Sequence, residues 1–331
     1  MVMSAKITQR FLSYESTPAA NGLDGEEATY TKINFCRDHS ATSRGHVQHT
    51  TAKGVPLVYR YLVKVYPKLV DMASSGGPDE DTTGIIAIDT NALALVQFFG
   101  TGNNWVMRNA AVKAHAAREK MFRSSGVSKK ERGSYDKTIH YCFSTNSETL
   151  LTPQIGVTVG IGANITGGNW ENSQLIYPDD SSGAFLALTG SHGSEETTTA
   201  FTTISLPQLY LSSRGQVPAD SNVESDEVPM KHSILNKLLS PVSTGIQDEV
   251  VDLARDEQDV PPYDLAEVDS DFSKPQELGR VLMGGATGNM ASCIIEVPFG
   301  MLYMGHQLLN AANDSEQVLD MTFELLDVYE M

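Results

Sequence analysis

The chain has 331 residues, of which 40% are hydrophobic and 20% charged, a composition typical of folded globular proteins that excludes disorder as the dominant state. This length allows one large domain or two smaller ones. The net charge of −17 makes naked nucleic acid a poor partner for the surface as a whole. The three cysteines, Cys36, Cys142 and Cys293, are widely spaced and odd in number, so we expect no disulfide framework and a reducing compartment for assembly.

The first residues carry no targeting signal that we recognise. The segment before Thr17 lacks the apolar core of a signal peptide. The sequence also contains no uninterrupted run of about 18 apolar residues, the length needed to cross a membrane. We therefore expect a chain made inside a cell rather than secreted through a signal peptide. Residues 1–27 are polar, with turn signals at Asn21-Gly22 and Asp24-Gly25, and are predicted to form an N-terminal arm.

From residue 28 onward, the apolar residues recur with a period of two. The clearest example is the alternation of Leu57, Tyr59, Tyr61, Val63 and Val65 with more polar neighbours, which predicts a half-buried strand. A similar alternation at Val318–Val328 also suits a helix, and we favour the strand. Eight principal strands are predicted at 29–36, 56–66, 92–99, 137–143, 173–189, 199–211, 291–304 and 318–328.

Helices are predicted only between these strands. Asn104 can cap a helix from Trp105 to Arg123, which the following Ser-Ser-Gly would end. A second helix begins at Thr244, which forms a capping box with Gln247. The two helices indicate two insertions between the predicted strands. The insertion at about 103–136 contains the basic helix, and the insertion at about 212–285 is acidic and partly helical.

Charge is distributed unevenly between these two insertions. Residues 108–137 contain nine Lys and Arg against three acids, whereas 220–271 contain fourteen acids against three cations. The basic segment could face packaged nucleic acid, because Lys and Arg neutralise phosphates without reading sequence. The alternative is a solvated helix that balances acidic neighbours. The candidate residues facing nucleic acid are Arg108, Lys113, Arg118, Lys120, Arg123, Lys129, Lys130 and Arg132.

One cluster has the composition of a metal site. Cys36 and His39 are followed by His46 and His49, and one thiolate with three imidazoles could form a tetrahedral zinc site. The alternative is that a strand end and a polar loop contain these residues by chance. The chain has no G-x-S-x-G motif and no phosphate-binding loop with its lysine, so we predict a non-catalytic protein without a cofactor.

The order of eight predicted strands with long insertions resembles the jelly-roll major capsid proteins of small icosahedral viruses, over about residues 28–331. This resemblance implies a mainly all-β fold, an eight-stranded antiparallel jelly-roll sandwich with helical insertions. It also implies a structural subunit that is synthesised in the host cytoplasm and associates with copies of itself into a viral shell, the virion capsid, around a genome.

The resemblance departs from many capsid proteins at the N-terminal arm. Residues 1–27 contain only Lys6 and Arg10 as cations. Genome contact would then be made by the 108–137 segment, by another protein, or across an internal membrane.

Two other functions fit a β-sandwich. One is a carbohydrate-binding or receptor-binding module that uses Trp105, Trp170 and tyrosines as stacking platforms. The other is a metal-dependent enzyme that uses the cluster around Cys36.

Overall fold

The computed structural model describes residues 7–16, 29–43, 45–68, 93–133, 135–143, 157–159, 163–165, 172–176, 183–189, 193–194, 201–213, 275–284, 290–309 and 318–331. The predicted helix from Thr244 and Trp170 lie outside these residues. Within them strands predominate and nearly all pair antiparallel, which confirms the mainly β class. No helix of this described part is long and apolar enough to cross a membrane.

The elements follow one another as fourteen described strands and three α-helices. The strands are β1 (Phe11–Ser16), β2 (Thr29–Asn34), β3 (Leu57–Lys68), β4 (Leu93–Gly100), β5 (Val157–Val159), β6 (Ala163–Ile165), β7 (Gln174–Ile176), β8 (Gly183–Ala187), β9 (Gly193–Ser194), β10 (Phe201–Ser205), β11 (Gln276–Gly284), β12 (Ala291–Pro298), β13 (Met301–Leu309) and β14 (Val318–Glu330). The helices are α1 (Phe35–Thr42), α2 (Trp105–Ser124) and α3 (Leu206–Ser213).

Two sheets form a sandwich. The first has the strand order β12-β3-β14-β1, extended by the short β5 and β6, and the second has the order β11-β4-β13-β2. The chain alternates between the two sheets from β1 to β4, enters a long insertion, and alternates again from β11 to β14. Every described pair within these two sheets is antiparallel.

The core between the two sheets is rich in aromatic rings. Phe323 of β14 lies edge-on to Tyr14 of β1, with ring centroids 5.4 Å apart, and to Phe98 of the opposite sheet at 6.0 Å. Phe35, at the start of α1, packs 4.3 Å from Tyr61 and 5.1 Å from Phe323. Edge-on aromatic pairs add stabilisation beyond the area that they bury, so this cluster joins β1, α1 and both sheets.

The insertion between β4 and β11 builds a second core. It contains α2, α3 and a third sheet with the order β7-β8-β10-β9, in which β8 and β10 run parallel. The alanine-rich face of α2 packs against this sheet and α3. The insertion also contacts the sandwich, since Tyr303 of β13 lies 3.9 Å from the ring of Phe143 and 3.3 Å from the hydroxyl of Thr189.

Several predicted strand boundaries differ from the structure. Residues 7–16 of the predicted arm contribute β1, from which Leu12 and Tyr14 turn into the core. Strand β11 lies inside the predicted acidic insertion. The predicted strands 137–143, 173–189 and 199–211 belong to the insertion rather than to the sandwich. The first of them is not a strand, since a 3₁₀ turn covers Tyr135–Lys137 and residues 138–143 form only an isolated bridge from Cys142 to Ala187. The second contains two strands, β7 and β8, and helix α3 takes the end of the third.

Two further boundaries have a local cause. The predicted strand 29–36 ends at Asn34, whose side chain caps α1 by accepting a hydrogen bond from the Arg37 amide at 3.0 Å. The predicted strand 291–304 is two strands, because Phe299 and Gly300 adopt positive φ angles of 57° and 64° and turn the chain into the other sheet. The predicted cap at Asn104 is confirmed, with Oδ1 3.0 Å from the Met107 amide.

Alanine substitutions at different glycines should destabilise the protein to different degrees, most of all at Gly300. A Cβ at Gly300 would lie 2.7 Å from Cys36 Sγ and 3.1 Å from the Tyr59 ring, on a left-handed backbone. We expect Gly300→Ala to lower the free energy of unfolding by about 2–4 kcal/mol in urea denaturation. Gly126→Ala, at φ 75° with open space around it, should cost only about 1–2 kcal/mol.

Gly133→Ala is the matched control, since Gly133 has open space and no positive φ. Its cost should stay within about 0.5 kcal/mol. If Gly300→Ala costs no more than Gly126→Ala, the packing around the Phe299–Gly300 turn is looser than described.

Candidate functional site

The turn between β12 and β13 is where the sandwich meets the insertion. The Phe299 amide donates to the Leu57 carbonyl at 2.8 Å, and the Phe299 carbonyl accepts from His49 Nδ1 at 2.7 Å and from Cys36 Sγ at 3.4 Å. Its ring leaves the sandwich and packs edge-on against Tyr141 of the insertion, with centroids 5.1 Å apart. Because a carbonyl can only accept, His49 carries its proton on Nδ1.

Three histidines line the contact beside this turn, and we call His46, His49 and His140 the histidine seam. His46 and His49 come from the loop before β3, and His140 comes from the insertion. The Nε2 atoms of His46 and His140 lie 3.1 Å apart, and the His49 ring centroid lies 6.2 Å from that of His140. The backbone amide of His140 donates to Ser173 Oγ at 2.9 Å, which holds this residue to the insertion.

Burial determines the charge of the seam. It lowers the pKa of His49 to about 4. Burial, with added repulsion from His49, His46 and Arg118, lowers the pKa of His140 to about 2. Both imidazoles are therefore neutral at pH 7, where each can serve as donor and acceptor at once.

The four residues predicted as metal ligands contact three different partners. Cys36 and His49 both reach the Phe299 carbonyl, His39 Nε2 lies 2.9 Å from the Tyr61 hydroxyl, and His46 meets His140. Among the described residues, no group of three or more His, Cys, Asp or Glu side chains is placed to hold one metal ion. The residue that sequence spacing missed is His140, which is 94 positions from His46.

The eight predicted cations near α2 divide by burial. Arg118 and Arg132 are buried and bind protein groups rather than facing solvent. Arg118 donates to the carbonyls of Asp136 and Thr138 at 2.7 and 3.3 Å. Arg132 donates to both carboxylate oxygens of Glu119 at 2.8 and 3.0 Å.

The other six cations form what we call the basic surface. Arg123, Lys129 and Lys130 are exposed, and Lys120 is half-buried. Arg108 is exposed and donates to the Met331 carbonyl at 2.9 Å, and Lys113 lies 4.8 Å from the centroid of the Tyr210 ring. The basic surface consists of Arg108, Lys113, Lys120, Arg123, Lys129 and Lys130.

Apolar side chains are exposed on β11, on β12 and at the residue before β12. Leu282 is 57%, Met290 56% and Ile294 51% exposed. Among the described residues, β11 and β12 each pair on one side only, so they are the edges of their sheets. Exposed apolar edges favour association with another chain. Trp105, the described member of the predicted stacking pair, is 44% exposed and stands edge-on to Tyr210.

Loss of the Glu119 charge should destabilise the protein more than loss of Lys129, although both residues belong to the same group of ion pairs. Hydrogen bonds from Arg132 are the main cause that lowers the pKa of Glu119 from 4.5 to about 2. The stabilisation is therefore present above about pH 4.5 and is lost as the pH falls towards 2. Glu119→Gln leaves the Arg132 guanidinium buried without its counter-ion, and we expect it to cost about 3 kcal/mol in urea denaturation at pH 7.

Lys129→Ala is the matched control for this substitution. Lys129 binds the same carboxylate at 3.1 Å but is 67% exposed, so its loss should cost less than about 1 kcal/mol. If Glu119→Gln and Lys129→Ala lower the free energy of unfolding equally, the burial of Arg132 adds nothing to the cost of losing its counter-ion.

No family model, curated protein or solved structure matches the chain. Its function has to be inferred from strand order, side-chain burial and charge.

Proposed function

We propose that this chain is the structural subunit of a homomultimeric shell, an icosahedral viral capsid that encloses a genome. The observation that carries the proposal is the strand order. Each of the two sheets contains four of the eight sandwich strands, the first being extended by the short β5 and β6, and strands that are neighbours in the chain alternate between the sheets on both sides of one insertion. We interpret this connectivity as a jelly roll, the double-sheet arrangement of many viral shell domains.

The distribution of apolar side chains supports self-association. The interior of the sandwich is filled by its own aromatic cluster, and yet Leu282, Met290 and Ile294 remain exposed at two sheet edges. Closed assemblies of identical subunits use such surfaces, because one patch is repeated in every copy. The subunit would contribute shape and contacts, and the partner would be another copy of the chain.

The basic surface supports a second element of the proposal, contact with the packaged genome. It lies on a chain of net charge −17, so its cations are a local exception to an acidic surface. Within the basic surface, Lys129 binds the Glu119 carboxylate that Arg132 also binds, and Arg123 and Lys130 are exposed. Such cations bind phosphate backbones without reading sequence.

Assembly can be tested directly by sedimentation velocity and negative-stain microscopy over a range of protein concentrations. We expect rings, capsomers or closed particles. Ile294→Lys should shift the population towards monomer without changing the melting temperature, because it places a charge on an exposed apolar edge. Ile294→Leu is the matched control and should assemble as wild type. A wild-type chain that remains monomeric at high concentration contradicts the proposal.

Genome contact can be tested by measuring the affinity for single-stranded DNA at several salt concentrations. Arg123→Ala and Lys130→Ala should each reduce the slope of log affinity against log salt by about 0.7, because each removes one phosphate contact. Arg60→Ala is the control, since Arg60 is an exposed cation on the first sheet, 3.9 Å from Glu296. If Arg60→Ala reduces the slope equally, or if no binding occurs at low salt, the basic surface is not a nucleic-acid contact.

A further inference from the structure

The outward face of α2 combines an exposed tryptophan with cations. Trp105, the first residue of the helix, is 44% exposed, although tryptophan side chains are highly buried on average. With about 3.6 residues per turn, Arg123 lies about five turns beyond Trp105 on the same line, and Arg108 and Lys120 lie about 60° to either side of it. The opposite, alanine-rich face packs into the second core. We call Trp105, Arg108, Lys120 and Arg123 the α2 track.

Acidic side chains are scarce beside the α2 track. Helix α2 contains one acid, Glu119, against five Lys and Arg. Its carboxylate is bound by Arg132 at 2.8 Å and by Lys129 at 3.1 Å. In the loop that follows the helix, the Glu131 carboxylate accepts a hydrogen bond from the Ser128 amide at 2.7 Å. Both carboxylates therefore have donors within the fold, and the charge along the track is mainly positive.

The indole of Trp105 is held by a neighbouring ring. Trp105 stands nearly perpendicular to Tyr210 of α3, at an interplanar angle of 88° and with ring centroids 6.3 Å apart. Lys113 Nζ in turn lies 4.8 Å from the centroid of the buried Tyr210 ring. Aromatic and cation–π contacts of this kind have preferred geometries and orient the rings that make them. Trp105 thus presents a positioned apolar surface among cations.

We propose that the α2 track binds single-stranded nucleic acid, with a base stacked on Trp105 and phosphates neutralised by Arg108, Lys120 and Arg123. This inference rests on the proposed genome contact and adds the form of nucleic acid that the chain recognises. Aromatic rings combined with cations bind single strands without reading their sequence, because every base has a face that can stack. The bases of a duplex are already paired and stacked on one another, so they are not available to the indole.

The dimensions and charge of the track favour this ligand over a neutral sugar. Trp105 and Arg123 are separated by about 27 Å along the helix axis, so the track can follow several nucleotides of one strand. Arg108 donates through Nε to the Met331 carbonyl at 2.9 Å, which uses one of the five N–H donors of its guanidinium. A neutral oligosaccharide could stack on the indole but would gain nothing from the cations, whereas a nucleic acid uses both.

The affinity of the full chain for an oligothymidylate of about 15 nucleotides, measured at several salt concentrations, tests the stacking role. Trp105→Ala should lower the affinity about 5- to 150-fold and leave the salt slope unchanged, because it removes a stacked base and no phosphate contact. Trp105→Phe keeps a ring and should lose less. Phe11→Ala is the matched control, an aromatic residue of the first sheet that is 48% exposed, and should bind as wild type. Unchanged affinity in Trp105→Ala would overturn the proposal.

Tryptophan fluorescence gives a second, independent measurement. Trp170→Phe leaves Trp105 as the only tryptophan, and the oligothymidylate should quench its emission. A duplex with the same number of phosphates and a neutral oligosaccharide should not, and equal quenching by either would overturn the proposal. Each measurement decides the question if the variant used in the other does not fold.

The outcomes also separate this inference from the genome contact on which it rests. If Trp105→Ala binds as wild type while Arg123→Ala still reduces the salt slope, the genome contact stands and the stacking role is wrong. If the wild-type chain binds no nucleic acid at low salt, both are wrong.

Discussion

The structure depends on one constrained turn, the left-handed pair Phe299 and Gly300 that carries the chain from β12 in one sheet to β13 in the other. A phenylalanine at φ 57° is unfavourable by itself and must be held by its surroundings. Leu57 holds its amide, His49 and Cys36 hold its carbonyl, and its ring is buried in the second core. The turn thus sets the spacing of the two sheets and anchors the insertion at the same point.

Polar side chains have different roles in the two cores. Inside the sandwich, the buried Asp38 accepts hydrogen bonds from the Tyr14 hydroxyl at 2.8 Å and from Arg37 Nε at 2.6 Å, which joins β1 to α1. Such a network is fully bonded and favours one arrangement. At the histidine seam, two imidazoles meet directly, since the Nε2 atoms of His46 and His140 lie 3.1 Å apart.

The sequence predicted the elements whose pattern is local. Alternation identified β3 and β14, an apolar run identified β4, and the cap at Asn104 identified α2. Strand β1 was missed because its two inward residues lie among polar ones, and the join of β12 to β13 was missed because a buried phenylalanine gives no turn signal. The site was predicted only in part, since two-residue spacing in the sequence does not determine which way His39 and His46 point. The partner of His46 lies in a distant segment, and no local pattern could have indicated it.

The position of β1 has a consequence for how the protein reaches its native state. Phe11 lies opposite Glu324, and the Leu325 amide donates to the Arg10 carbonyl, so the first described strand pairs with the last. During synthesis, β1 and β3 must wait until β14 has left the ribosome, because β14 lies between them in the sheet. Pairing across such a distance along the chain is slow. The nascent polypeptide therefore has an incomplete first sheet until β14 is made, the interval in which chaperones would protect it most.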